Sequence, residues 1–228
     1  MLSFHKRSRI IPLTILLVMI ASLMPVDAAA HVVKNQLEGL SRTDVAFVYL
    51  KLGFTHILPL GLDHILFVLS LFFLNPKLKT VIWQATAFTV AHTITLGLAM
   101  YGLISPPSYI IEPVIALSIM FVAVENIITN KLRPARILLV FGFGLVHGMG
   151  FASALTDLGL PRNQFFSSLI SFNVGVELGQ MTIILAAWFI VGKWFYKKEW
   201  YRPRIVVPVS ACIAMVALYW TLQRTFFP

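Results

Sequence analysis

The chain has 228 residues, of which 58% are hydrophobic and only 12% charged, with a mean hydropathy of +0.85. A soluble domain carries about a quarter charged residues, so the composition excludes a water-soluble globular protein and indicates a polytopic membrane protein. The formal net charge of +9 does not imply nucleic-acid binding, because in a membrane protein the placement of basic residues matters more than their sum. The single cysteine, Cys212, excludes an intrachain disulfide and a thiolate metal cluster.

Residues 1–30 begin with a basic segment (His5, Lys6, Arg7, Arg9), continue through an apolar core from Ile10 to Met24 and end in small residues. That order reads as a signal peptide cleaved after Ala30. An uncleaved span is the alternative, although a core of about 15 residues falls short of the roughly 20 that a span requires. Residues 31–56 read as a periplasmic segment with a short interfacial helix over 43–53, leading to a break at Pro59-Leu60-Gly61. Residues 57–224 read as a transmembrane domain of six helices, at about 60–74, 80–103, 109–129, 135–155, 165–193 and 205–222. The fold class is therefore all-α, a polytopic membrane helix bundle.

The connections orient this bundle. Lys77 and Lys79 lie in the first, Lys131, Arg133 and Arg136 in the third, and Lys193, Lys197, Lys198, Arg202 and Arg204 in the fifth; the alternate connections hold only Arg162. By the positive-inside rule the basic connections are cytoplasmic and the mature termini lie outside.

Into this apolar chain the sequence inserts ionisable groups. His56, Asp63 and His64 flank the break, His92 and His147 lie within the second and fourth spans, and Glu177 within the fifth. Such groups are costly in hydrocarbon unless they pair, line a wet cavity or hold a cation. Asp63 and His64 are expected near the outer end of the first span. Helical rise puts His92, His147 and Glu177 roughly 12–18 Å below the outer surface. Asn173, Glu177 and Gln180 share one helix face at i, i+4 and i+7. Gly144 and Gly148, with Gly175 and Gly179, form small-x-x-x-small pairs that allow close helix approach. Glu112, Ser118, Glu125 and Asn126 on the third span outline a route toward the cytoplasm. Each has a simpler reading: a buried histidine can bond a neighbouring helix, Asp63 can favour a helix N-terminus, and Glu125 can pair with Lys131 or Arg133.

Neutral imidazole binds nickel, cobalt, zinc or copper, and a carboxylate adds charge where water is scarce. His64, His92, His147, Asp63, Glu177 and His56 are the candidate metal ligands, with Asn173 and Gln180 orienting them. No residue is assigned a catalytic role. Three functions compete: a permease for a divalent transition metal, an intramembrane zinc hydrolase with Glu177 or Asp63 as general base, and a non-catalytic membrane scaffold.

The motifs around His56 to Phe67, Ala87 to Thr95, Glu112 to Asn126, Phe141 to Ala152 and Phe172 to Gln180 resemble those of the HupE/UreJ family of bacterial membrane proteins. The resemblance implies a signal-bearing inner-membrane protein concerned with nickel or cobalt uptake, with metalloenzyme-maturation or periplasmic metal-delivery partners. It also implies a metal-handling role for His56, Asp63 and His64. One departure stands out: six residues separate His56 from Asp63 where the nickel-permease form has five. On a continuous helix the extra residue turns His56 by about 100°, unless Pro59 and Gly61 absorb it.

Overall fold

The computed structural model describes residues 41–152, 155 and 164–227. The expected signal peptide, the start of the periplasmic segment and most of the 157–164 connection lie outside those residues. The described chain forms seven helices: α1 (Arg42–Ile57), α2 (Leu62–Leu74), α3 (Leu78–Met100), α4 (Ser108–Ile128), α5 (Arg136–Gly150), α6 (Phe165–Ala187) and α7 (Val207–Phe226). A π-helical turn, Trp188–Gly192, carries α6 on to Phe195, and another, Arg202–Val206, precedes α7.

Local chemistry explains the first two. Ser41 caps α1, its Oγ accepting from the Asp44 N–H at 3.2 Å while Asp44 complements the helix dipole. The helix ends at Leu58, held extended (φ −123°, ψ 116°) by the proline that follows. Gly61 restarts the chain pressed against the His56 carbonyl, where a Cβ has no room. α2 then leaves at 68° to α1.

This bend revises the reading of the first span. The 13 residues of α2 rise only about 20 Å, against a hydrocarbon thickness near 30 Å. α1 and α2 together satisfy the requirements of one bent element, a broken span or re-entrant loop. The helix expected over 43–53 runs to Ile57 and buries Val45, Tyr49, Gly53 and Ile57, so it is an integral part of the bundle. Four further helices are long and apolar enough to cross a membrane: Leu78–Met100, Ser108–Ile128, Phe165–Phe195 and Arg202–Phe226. α5 is apolar but has 15 residues. Trp83, Leu138, Phe166, Ile170 and Met215 face outward, as a lipid-facing surface requires. The chain is a polytopic all-α membrane protein.

The helices pack chiefly in three pairs, α1 on α6, α3 on α5 and α4 on α7. Glycine makes the first two close. Gly53 lies against the Phe172 carbonyl and Gly175 against that of Leu50, while Gly144 and Gly148 lie against the carbonyls of Phe88 and His92. The two small-residue motifs thus serve different partners, not each other.

Polar links secure the end that carries the basic connections. Glu125 pairs with Arg136 at 2.6 Å, not with Lys131 or Arg133, and Arg136 also donates to Gln84 Oε1 at 3.1 Å. Asn126 Nδ2 donates to the Ser70 carbonyl and to Ser210 Oγ. Arg202 caps the last turn of α4 by donating to the carbonyls of Asn126, Ile127 and Thr129. Removing one member of a buried ion pair costs about 3–5 kcal/mol because it strands a charge. Glu125→Gln is therefore expected to lower the thermal midpoint in detergent, and Glu125→Gln/Arg136→Met to recover much of the loss; a double variant less stable than the single one would contradict this account.

Candidate metal centre

The break between α1 and α2 lies within the length of the bundle. His92 is eight residues from the end of α3, and Asn173 is eight from the start of α6. Both are thus about 12 Å inward from the corresponding helix end. α1 runs beside α6, with Gly53 at Phe172 and Ile57 at Gly179, so it carries His56 to that depth. His64 thus sits at the break between α1 and α2, the two arms of one bent element.

His56, His64 and His92 each offer one ring nitrogen, and these nitrogens all lie within 4.8 Å of one another. The 100° displacement expected of His56 does not arise, because His56 and His64 belong to different helices and the turn at 58–61 brings their rings to 4.7 Å. His147 stands beside the group, its ring 5.1 Å from that of His64. His64, His92 and His147 are buried and His56 partly so. Phe88, Phe151 and Phe172 pack around the rings.

Hydrogen-bond accounting assigns the free lone pairs. Asn173 Nδ2 donates to the Leu169 carbonyl, so its Oδ1 is the acceptor 3.1 Å from His92 Nδ1. His92 must then carry its proton on Nδ1, leaving the Nε2 lone pair free. Ser118 Oγ lies 2.7 Å from the Ile115 carbonyl and 2.9 Å from His147 Nε2, and its single proton serves one of the two bonds. His147 Nδ1, with Nε2 of His56, His64 and His92, is buried without a hydrogen-bond partner among the described residues. Buried polar atoms are almost always satisfied, and the three rings of His56, His64 and His92, each with one nitrogen within 4.8 Å of the others, form a donor set that suits a cation.

The carboxylates stand apart from this group. Both Asp63 oxygens accept from Arg224 Nη2 at 3.1 Å, and Arg224 Nη1 donates to the Glu112 carbonyl. Glu112 itself is exposed. Glu177 Oε1 accepts from Thr86 Oγ1 at 2.6 Å, while its Oε2 is buried and unpartnered. Gln180 Oε1 accepts from Thr89 Oγ1 at 3.2 Å. Ser118 bonds His147, Glu125 pairs with Arg136, and Asn126 ties three helices, so each of these α4 residues anchors a neighbouring element. Sequence reasoning missed Thr86, Gln84 and Arg224. Arg224 is a lone cation in the final apolar run, which is the signal that could have exposed it.

Fold and site together define a class: a multi-pass helical membrane protein with a histidine group suited to a transition metal. The family model described as HupE / UreJ protein matches residues 31–224, and the chain belongs to that family. The family is associated with nickel and cobalt transport. No curated protein and no solved structure matches the chain.

Outer partners that orient a ligating imidazole change metal affinity by about 10- to 100-fold. Asn173→Leu is expected to weaken nickel or cobalt binding by that factor without unfolding the protein, as read by calorimetric titration. Unchanged affinity would show that Asn173 does not set the His92 tautomer.

Proposed function

We propose that this protein is a permease for a divalent transition metal, nickel or cobalt, captured at an intramembrane histidine site open to the periplasm. The observation that carries the proposal is the convergence of His56, His64 and His92, each with one ring nitrogen within 4.8 Å of the others and each with its Nε2 unpartnered. Nitrogens that neighbour one another around a tetrahedral ion lie about 3.4 Å apart at metal–nitrogen distances near 2.1 Å, so an inward turn of the rings completes such a site.

In this reading His56, His64 and His92 capture the metal, and His147 and Glu177 receive it on the way inward. Asp63 contributes by holding Arg224 away from the ring nitrogens. The termini lie on the periplasmic side of the inner membrane, as the basic connections require, and the ion is passed on to metalloenzyme maturation. A zinc hydrolase needs a general base beside its metal. Asp63 is held by Arg224 through both of its oxygens, which favours the carrier.

Two outcomes test the proposal. In proteoliposomes, nickel or cobalt uptake is expected to fall at least tenfold in His64→Ala and in His92→Ala and to stop when a chelator is added outside. Uptake equal to wild type in both variants would sink it. His147→Gln is expected to slow uptake while leaving equilibrium metal binding within about threefold of wild type, since three ligands remain. A complete loss of binding would instead make His147 a primary ligand.

A further inference from the structure

At the opposite end of α3 from its histidine lies a cavity of about 310 Å³ between the start of α3 and the start of α5. Lys79, Arg133 and Arg136 line it, with Gln84, Trp83 and Leu132. Its cations come from two different basic connections brought together by the packing of α5 on α3. The residues lining it include no aspartate or glutamate.

The cavity has the character of a site. Arg136 is 3% exposed. Its Nε donates to Gln84 and its Nη1 to Glu125, while Nη2 is buried without a partner. Glu125 balances one positive charge, which leaves Lys79 and Arg133 uncompensated around the opening. An anion bearing several acceptor oxygens answers both the excess charge and the spare donor, and guanidinium groups suit phosphate in particular. Trp83 is 67% exposed and Leu132 36% exposed beside these cations. That mixture of apolar surface and positive charge fits a molecule with a phosphate at one end and hydrocarbon at the other. Basic pockets between membrane helices on the cytoplasmic side take anionic head groups for this reason.

We propose that this cavity binds the phosphate group of an anionic phospholipid. The lipid seats its phosphate among Lys79, Arg133 and Arg136 and lays its glycerol and upper chains along Trp83 and Leu132. It thereby bridges the beginnings of α3 and α5, the two helices that carry His92 and His147.

Native mass spectrometry of the delipidated full chain tests this, with phosphatidylglycerol or phosphatidylcholine titrated in detergent and inorganic phosphate as a competitor. Phosphatidylglycerol is expected to bind about tenfold tighter than phosphatidylcholine. Lys79→Gln and Arg133→Gln are each expected to weaken phosphatidylglycerol about fivefold, leaving phosphatidylcholine unchanged. Both positions are exposed, so the fold is retained. Lys197→Gln removes the same charge from another connection and is expected to have no effect. Equal affinity for the two lipids, or an equal loss in Lys197→Gln, would overturn the proposal. So would displacement of the lipid by inorganic phosphate at comparable concentration, which would assign the cavity to a free anion.

Discussion

The closeness of α1 to α6 and of α3 to α5 is the constraint on which the rest of this structure depends. In lipid there is no solvent-driven force between helices, so association rests on backbone approach and polar contacts. Gly53 and Gly175 provide that approach for the first pair, Gly144 and Gly148 for the second. Thr95 adds a bond across the second pair, donating to the Leu145 carbonyl at 2.7 Å. Because each helix lies on its neighbour's backbone, its side chains have little latitude. The histidines on α1, α3 and α5 are therefore placed by backbone contacts in which no imidazole takes part.

That placement makes the imidazoles useful. A histidine ring is ambiguous until its other nitrogen is bonded, and here Asn173 removes the ambiguity at His92, because its own Nδ2 is committed to the Leu169 carbonyl. Ser118 anchors the His147 ring from the far side. The metal-facing lone pairs result from ordinary helix chemistry one residue further out. The aromatic surround limits water, which raises the cost of leaving those nitrogens bare.

Much of this was legible from the chain alone. Runs of apolar residues marked every long helix to within a few positions, and His56, Asp63, His64, His92 and His147 stood out as ionisable groups in those runs. Asn173 also appeared, through its helical spacing from Glu177 and Gln180. Less legible was anything decided by azimuth or by a break. Six residues between His56 and Asp63 imply a misplaced histidine only if the helix is continuous, and Pro59 with Gly61 makes it two helices at 68°. The partners of Asp63 and Glu177 were equally hidden: Arg224, 161 positions from Asp63, and Thr86 on the face of α3. Long-range pairs of that kind leave no local pattern to read.

The bonds between α4 and α7 have a mechanical consequence. Arg202 and Ser210 fasten the beginning of one helix to the last turn of the other, and Arg224 reaches the Glu112 carbonyl at the far end. Two rods riveted at both ends resist sliding or splaying independently. They travel as a single plank, and Ser118 rides on it. Any motion that draws Ser118 from His147 must therefore swing the plank as a whole, so opening inward is a matter of rocking two helices together, with no flexing of either.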